Sequence, residues 1–251
     1  MDLIRRLLSR RAHGAPPPIR PDRTICVVGD IHGCDALLGR LLALLAKEVP
    51  DDTPLVCVGD YIDRGPDSAA VLARLQRLTA DPRRTVICLM GNHEDMMLSF
   101  LDDPVRAGPA WCRNGGFETL DSFGIARPPQ RAGPDDWRRT SDALRGALGP
   151  ATGAWLRDRP LWWQSGNVLV THAGADPDRA PGDQDRTALI WGHPHSGRRP
   201  RADGLWVAQG HRIVPAPDAS AGRIRVDTGA FATGRLTAAI IAPDSLRFLS
   251  T

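Results

Sequence analysis

Three times within the first hundred residues, an apolar run ends in a glycine that is followed by polar side chains. The runs end at Gly-Asp-Ile-His-Gly (29–33), at Gly-Asp-Tyr-Ile-Asp-Arg-Gly (59–65) and at Gly-Asn-His-Glu (91–94). A buried strand that stops at such a motif delivers its polar side chains to the edge of a sheet. Because parallel strands end at the same edge, the pattern predicts that these side chains lie close together.

The segments between the runs have the periodicity of amphipathic helices. Residues 35–48 and 66–80 carry apolar side chains at helical spacing, and Pro66 stands near the start of the second segment, where proline is favoured. A strand, a helix and a strand within about thirty residues predict a β-α-β unit with parallel strands. Ligands of such sheets collect beyond the carboxyl ends of the strands, where the motifs stand.

The rest of the chain predicts a helical block followed by a second sheet. Residues 101–160 are helical but interrupted by a Pro/Gly loop at 126–134, with short helices at 137–148 and 151–157, and we expect them to cap the first sheet. Strand-like runs then recur at 168–174, 205–211, 224–227, 236–242 and 246–249. The expected fold is α/β, a four-layer α/β/β/α sandwich with two mixed sheets and a helical cap. Trp155, Trp162 and Trp163 are expected in the core.

Length and motif positions favour one catalytic domain over residues 23–251 of the 251-residue chain, because candidate site residues extend from Asp30 to His211. Residues 1–22 are predicted to be an N-terminal arm that ends in a proline-rich linker at 15–21. Leucines among basic residues at 1–11 are typical of a docking helix, a loose arm or an interfacial helix. That segment lacks the core and cleavage site of a signal peptide.

Composition argues against nucleic acid as a partner and against a membrane span, and cysteine usage indicates the compartment. The formal net charge of +3 is too small to indicate nucleic-acid binding, and no apolar run is long enough for a membrane span. The five cysteines lack zinc-finger spacing, and Cys26, Cys57 and Cys88 fall within predicted strands. Reduced thiols of this kind predict a cytoplasmic protein.

Six side chains with oxygen or imidazole donors stand at predicted strand ends and are candidate metal ligands: Asp30, His32, Asp60, Asn92, His172 and His211. Buried Asp and His cost free energy unless they are paired or metal-bound, so their clustering indicates a site for divalent metal ions. Two ions need a bridging anion, and Asp60, on the middle motif, is the natural bridge. Asp30 and His32 would complete the site of one ion. The other three side chains would complete the second, and this donor set suits several metals.

Three further residues of the motifs are candidates for catalysis. Arg64 offers a planar, bidentate donor that suits a phosphate oxygen. His93, next to the candidate ligand Asn92, is suited to be the general acid for a leaving group, and we expect it to point away from the metal ligands. Asp63 is suited to fix the tautomer of His93 and to raise its pKa.

These residues together resemble the motifs of calcineurin-like metallophosphoesterases. The Asp63-Arg64 pair has the form found in the phosphoprotein phosphatase family of serine/threonine phosphatases, and the motifs at 114–116, 171–174, 210–211 and 227–230 resemble its bacterial and phage branch. The resemblance implies two divalent ions, Mn²⁺ first with Fe or Zn as alternatives, and direct attack on phosphorus by a metal-bridging hydroxide. The first functional hypothesis is a phosphomonoesterase that acts on phosphoserine and phosphothreonine in proteins or on small phosphomonoesters.

One position departs from the pattern of this branch. After Leu-Ile-Trp (189–191) its members usually carry an arginine as a second phosphate contact, whereas this chain has His193. Four arginines on nearby loops are candidates to replace it: Arg198, Arg199, Arg201 and Arg212.

Two other functions stay open. Hydrolysis of a dinucleoside polyphosphate is the activity of a close sister family, which typically has Ala before the motif arginine and Asp after Asn-His. Asp63 and Glu94 at these positions favour the phosphomonoesterase. An inactive binding module should have lost metal ligands, and all six candidates are present here.

Overall fold

The computed structural model describes residues 16–196 and 200–251, so the segment 1–11 lies outside the described residues. Residues 16–22, predicted as part of a linker, hydrogen-bond to the second half of the chain. Trp206 Nε1 donates to the Pro17 carbonyl oxygen at 2.8 Å, and Arg20 N donates to Asn167 Oδ1 at 2.6 Å. The domain boundary at residue 23 stays a prediction.

Strands and helices alternate in the first half of the chain, as its periodicity predicts. The elements are β1 (Ile25–Val28), α1 (Asp35–Leu45), β2 (Leu55–Cys57), α2 (Ser68–Ala80) and β3 (Val86–Cys88). A helical block follows, with α3 (Asn92–Asp102), α4 (Pro104–Trp111), a π-helical turn (Cys112–Gly116), α5 (Phe117–Ser122) and α6 (Pro134–Arg157).

The second half is mainly β structure. Its elements are β4 (Trp162–Ser165), β5 (Val168–Thr171), a 3₁₀ turn (Pro181–Asp183), α7 (Arg186–Trp191), β6 (Trp206–Gln209), β7 (Asp218–Ser220), β8 (Arg223–Arg225), α8 (Ala230–Thr233), β9 (Thr237–Ile241) and β10 (Leu246–Ser250). The strands form two five-stranded sheets, in the orders β10-β9-β1-β2-β3 and β4-β5-β6-β8-β7. Each contains three consecutive parallel strands, β1-β2-β3 in the first sheet and β5-β6-β8 in the second. Antiparallel pairs add β9 and β10 on one side of the first sheet and β4 and β7 at the two edges of the second, so both sheets are mixed as predicted.

Alternating side chains of β1 show how the layers are built. Ile25 and Val27 are buried between the two sheets with residues such as Val168 of β5, whereas Cys26 and Val28 face the helices on the other side. The outer face of the second sheet packs against Leu189 of α7. Each large apolar side chain buried in this way contributes about 1.5–3 kcal/mol. The predicted four-layer α/β/β/α order is confirmed.

The helical block forms part of the layer on the first sheet. Leu144 and Leu156 of α6 lie in the same apolar core as Cys26. The two helices predicted at 137–148 and 151–157 are joined in α6 by a kink at Gly149, which has a φ of 70°, and Pro150 follows it. The prediction that Trp162 lies in the core is wrong: the residue is 36% exposed, because β4 is an edge strand.

All five cysteines are free thiols, and Cys57 and Cys88 are direct neighbours on β2 and β3. Burial raises the pKa of Cys26 to about 11, so this thiol is unreactive at neutral pH. Within residues 16–196 and 200–251, no helix combines the length and the apolar character that crossing a membrane requires.

Candidate active site

The strand ends of both sheets meet at one edge of the molecule. Val28, Cys57 and Cys88, the last residues of β1, β2 and β3, are in register with one another. In the second sheet, β5 leads directly to His172 and β6 leads through Gly210 to His211. A Cβ atom on Gly210 would collide with Asp30 Oδ1, so a glycine is required where the two sheets come together.

Asp60 lies between two groups of side chains, with one carboxylate oxygen directed to each. The first group contains His32 and His93, and the second lies around His172 and His211. Its Oδ2 is 3.5 Å from His32 Nε2 and 3.9 Å from His93 Nε2. Its Oδ1 is 3.4 Å from His172 Nε2. The sequence predicts Asp60 as a bridge between two ions, and its position between two candidate metal-binding groups fits that role.

The second group contains Asn92, His172 and His211. Asn92 Oδ1 lies 2.9 Å from His172 Nε2 and 2.9 Å from His211 Nδ1. His172 Nδ1 faces the Val58 carbonyl oxygen at 3.2 Å and carries the proton, so Nε2 presents its lone pair. Lone pairs from an amide oxygen and an imidazole nitrogen thus converge, and a cation stabilises such an arrangement.

The imidazoles of the site are held in the form that binds metal. His32 Nδ1 faces the Ile62 carbonyl oxygen at 2.8 Å, so Nδ1 carries the proton and Nε2 presents its lone pair on the side of Asp60. Burial lowers the pKa of His32 to about 3 and that of His172 to about 4, although Asp60 opposes both shifts. Burial also lowers the pKa of His211. All three rings are therefore neutral at physiological pH, as metal ligation requires.

Carboxylates are crowded on the same side. Burial and the charges of Asp227 and Asp60 raise the pKa of Asp30 well above its usual range. Burial likewise raises the pKa of Asp227 to about 6. The pKa of Asp60 is lowered, because His172, His93 and His32 together outweigh the effect of burial. A divalent cation would relieve the repulsion among these groups, so the donor set fits a metal centre.

Two details differ from the sequence-based expectation. Asp30 accepts hydrogen bonds from His211 N at 2.9 and 3.2 Å, but it does not belong to either group of three ligand atoms that lie within 4.8 Å of one another. His93 does not point away from the ligands: its Nε2 joins His32 and Asp60 in the first group. The ring is turned inward because its other nitrogen is anchored from behind.

That anchor is Asp63. His93 Nδ1 lies 2.7 Å from Asp63 Oδ2, and both side chains are buried. Asp63 also accepts hydrogen bonds from Trp111 Nε1 at 2.9 Å and Thr119 Oγ1 at 2.6 Å. Burial raises the pKa of Asp63, and these donors oppose the shift. Burial disfavours the charged form of His93, but Asp60 and Asp63 outweigh it and raise the pKa of the ring.

Arg64 lies at the opening of this site. The residue is exposed, and its Nη1 is 3.2 Å from His32 Nε2. Its backbone N donates to the Gly115 carbonyl oxygen at 3.2 Å. A side chain on Gly115 would collide with Arg64 Cγ, which explains why glycine stands in the middle of the Asn-Gly-Gly motif at 114–116. Arg64 is thus held beside the candidate ligands with its guanidinium accessible.

Several site residues have left-handed backbone conformations. The φ angles are 45° at His32, 53° at Asp60, 71° at Asp63, 69° at Arg64 and 66° at His211. Such a conformation costs about 1–3 kcal/mol for a residue other than glycine. The hydrogen bonds around the site hold these angles, and the turns they create aim the side chains inward.

His193, the departure from the family pattern, lies near Asp176. Its Nε2 is 3.8 Å from Asp176 Oδ2. Among the arginines that could replace it, Arg201 is buried and bonded to Asp203 and to the Asp176 carbonyl oxygen, so it is committed to the loop structure. Arg212 is exposed next to His211, and Arg198 and Arg199 lie outside the described residues.

The arrangement combines a cluster of metal-binding donors, a buried His–Asp pair and an accessible arginine, which together suit the hydrolysis of a phosphoester. A family model for calcineurin-like phosphoesterases matches residues 23–211. The chain belongs to the calcineurin-like phosphoesterase family. Members of this family bind divalent metal ions, and the donors on the two sides of Asp60 are candidates to hold them, His32 on one side and His172 and His211 on the other.

Curated members of the family with similar sequences have names that specify different substrates. Serine/threonine-protein phosphatase 2 of Salmonella typhimurium is 30% identical over 227 residues, which cover 86% of this chain and 91% of that protein. The symmetrical bis(5'-nucleosyl)-tetraphosphatase of Legionella pneumophila is 34% identical over 152 residues, 60% of this chain. The matched region spans only 44% of that tetraphosphatase.

Solved structures support the fold. A proposed diadenosine tetraphosphatase superposes with a TM-score of 0.61 at 22% identity, over 94% of this chain and 98% of the other. A cold-active protein-tyrosine phosphatase of Shewanella superposes with a TM-score of 0.58 at 17% identity, over 92% and 83% of the two chains. The predicted metallophosphoesterase sandwich is therefore confirmed.

Proposed function

We propose that this phosphoesterase is a phosphomonoesterase with two divalent metal ions that acts on phosphoserine and phosphothreonine in proteins. The observation that carries the proposal is the 2.7 Å contact between His93 Nδ1 and Asp63 Oδ2. Asp63 keeps the proton on Nδ1 of the neutral ring and favours the imidazolium form, so Nε2 is the nitrogen that gives up a proton. An alkoxide leaving group, as in serine and threonine esters, needs such a proton.

The metal ions would be held by Asp30, His32, Asp60, Asn92, His172 and His211, with Asp60 between them. When bound, two such ions activate a water for attack and neutralise charge on the phosphoryl group. Mn²⁺ is the proposed metal, with Fe and Zn as alternatives, since imidazole, carboxylate and amide donors suit each of them.

The protein groups have separate tasks in this proposal. Arg64 binds and orients the phosphoryl oxygens through its planar donor fork. His93 protonates the leaving oxygen at Nε2, and Asp63 keeps the ring in the correct tautomer and orientation. Trp111 and Thr119, which donate hydrogen bonds to Asp63, fix that carboxylate and so act on His93 only indirectly.

The relatives offer support for two substrate classes. The Salmonella serine/threonine phosphatase aligns with 86% of this chain, whereas the Legionella tetraphosphatase aligns with 60% of it at slightly higher identity. Hydrolysis of dinucleoside polyphosphates is therefore the second candidate function. A nucleotide phosphate leaves more readily than an alkoxide and depends less on an acid, so the His93–Asp63 pair favours the phosphomonoester.

A competition assay tests this choice. Mn²⁺-loaded protein is given a phosphothreonine peptide and diadenosine tetraphosphate in one tube, and the two products are quantified over time. We expect kcat/KM to be at least about tenfold higher for the peptide, equivalent to about 1.4 kcal/mol in transition-state binding. Preference for the dinucleotide would reject the protein-phosphatase proposal and leave the second candidate.

A further inference from the structure

Phe231 is an aromatic residue at the opening of the site that the sequence motifs do not single out. It lies on α8, a single helical turn between Gly229 and Gly234, and it is 37% exposed. Its ring meets the His32 imidazole edge to face, with centroids 5.2 Å apart. Arg64 Cζ lies 5.0 Å from the ring centroid. One side chain thus contacts both a candidate metal ligand and the candidate phosphate-binding residue.

Arg64 needs a partner that keeps its guanidinium in place. Within the described residues it forms no ion pair with a carboxylate, and its hydrogen-bonding contact is His32 Nε2 at 3.2 Å. His32 Nδ1 faces the Ile62 carbonyl oxygen, so the lone pair on Nε2 is the acceptor for Arg64. A metal ion at His32 would need the same lone pair. The arginine and the metal therefore compete for this atom.

The contact between Arg64 and the Phe231 ring does not compete with a metal ion at His32. Cation–π attraction between a guanidinium and a ring face uses no lone pair, and it leaves the edge of the guanidinium open for oxygen ligands. The stem of Arg64 is fixed separately, since it packs against Gly115. An arginine whose stem and head are both held loses less conformational entropy when it binds an anion.

We propose that Phe231 is a positioning residue that holds the Arg64 guanidinium over the site, ready for a phosphoryl group. The inference rests on the proposed function, because it takes Arg64 as the phosphate contact. Loss of the aromatic ring should weaken phosphate binding by a factor of about two to five, the usual scale of a partly exposed cation–π contact. If Phe231 only fills space, any apolar side chain of similar size preserves the affinity.

The test is calorimetric titration of inorganic phosphate into Mn²⁺-loaded protein, with the metal content of each sample measured. Phe231→Leu keeps apolar bulk without the ring and should show the two- to fivefold loss at unchanged metal content. Phe231→Tyr retains the ring and should bind phosphate as the wild type does. Trp162→Leu is the matched control, because it removes a ring of nearly the same exposure, 36%, on the edge strand β4.

A double variant shows whether Phe231 acts through Arg64. In an Arg64→Leu background, Phe231→Leu should cause no further loss of phosphate affinity, since the positioned group is gone. Full phosphate affinity of Phe231→Leu in the wild-type background, or an undiminished loss in the double variant, overturns the positioning role. If Phe231→Leu does not fold, Phe231→Met, which also lacks a ring, is judged by the same criterion.

Failure of this inference and failure of the proposed function give different results. A wild-type protein that hydrolyses phosphomonoesters, together with a Phe231→Leu variant of normal phosphate affinity, overturns the role of Phe231 alone. A metal-loaded wild type that neither binds phosphate nor hydrolyses phosphomonoesters overturns both.

Discussion

The Glu94 carboxylate accepts a hydrogen bond from the backbone N–H of Asp60 at 2.8 Å. It also accepts from Tyr61 N at 2.8 Å and from Gly91 N at 3.0 Å, and it is fully buried. One side chain at the start of α3 therefore ties the turn after β2 to the turn after β3. Through these bonds to backbone N–H groups, Glu94 sets the backbone from which Asp60 projects.

We expect Glu94→Gln to destabilise the fold by about 1–3 kcal/mol and to weaken metal binding, because an amide NH₂ would oppose one of these N–H donors. Urea unfolding of the metal-free protein and Mn²⁺ titration measure the two effects. Asp95→Asn is the control, since the next side chain of the same helix pairs with Arg186 at the surface. Equal losses in both variants would show that the effect is not specific to Glu94.

Asp60→Asn should remove both metal ions and the activity with them. The amide keeps the shape of the side chain but has no charge and only one acceptor oxygen, so it cannot serve both donor groups. Metal analysis of the purified variant decides the matter, with the exposed Asp67→Asn variant as control. Two retained ions and normal turnover would exclude Asp60 as the bridge.

His93→Asn should keep the metal ions but slow turnover by roughly 10²-fold or more, the usual scale for a lost general acid. The loss should be smaller for aryl phosphates, whose leaving groups need no proton. Steady-state rates on an aryl and an alkyl phosphate, with the metal content of each sample, provide the comparison. An equal loss on both substrates would argue for a positional role instead.

His193→Arg should lower KM for phosphomonoesters or tighten inhibition by inorganic phosphate. An arginine is longer, always charged and bidentate, whereas the imidazole is shorter and 3.8 Å from Asp176. Inhibition constants for phosphate, measured for the variant and the wild type at one pH, test this. If neither constant changes, position 193 lies away from the phosphate or another arginine already fills the role.

Because of the ion pair between Asp35 and Arg74, we expect the free energy of unfolding to depend on pH. Two 2.7 Å hydrogen bonds from Arg74 join α2 to α1 and lower the pKa of Asp35. A carboxyl whose folded pKa is depressed stabilises the fold above its unfolded pKa, near 4, and loses that contribution as pH falls through the folded value. The side chains of Asp35 and Arg74 are 19% and 32% exposed, so we expect the pair to contribute about 0.5–1 kcal/mol to the free energy of unfolding at neutral pH.

Arg74→Met should therefore be less stable than the wild type at pH 6–7, and the difference should vanish as the pH drops below about 4. Urea unfolding of both proteins in EDTA measures it free of metal effects. Arg83→Met, which breaks the pair between the exposed Arg83 and Asp81, should leave stability unchanged. A stability difference that persists at acid pH would reveal a packing effect of the Arg74 stem.

Much of the fold follows from local sequence patterns. The strand-ending motifs locate β1, β2 and β3, and the parallel register that places Val28 beside Cys57 brings their termini to one edge. Periodicity also predicts α1 and α2. Residues that follow a strand end are positioned by the strand itself, which is why all six candidate ligands lie at this edge.

The partners of these residues could not be predicted in this way. Trp111 and Thr119 bind Asp63 across 48 and 56 residues of sequence, from helices whose packing no local pattern specifies. Phe231 approaches Arg64 from α8, which lies in the connection between β8 of the second sheet and β9 of the first. The inward orientation of His93 likewise depends on its anchor at Asp63. Long-range packing decides each of these contacts.

The left-handed residues of the site also bear on how the protein can be changed. Positive φ angles occur at five site residues: His32, Asp60, Asp63, Arg64 and His211. Glycine adopts this conformation at a lower free-energy cost than the residues present. Selection for heat resistance alone would favour glycine at these positions and would delete five of the side chains that the proposed chemistry uses. A thermostable enzyme from this scaffold should therefore be sought in the helical layer and at the sheet edges.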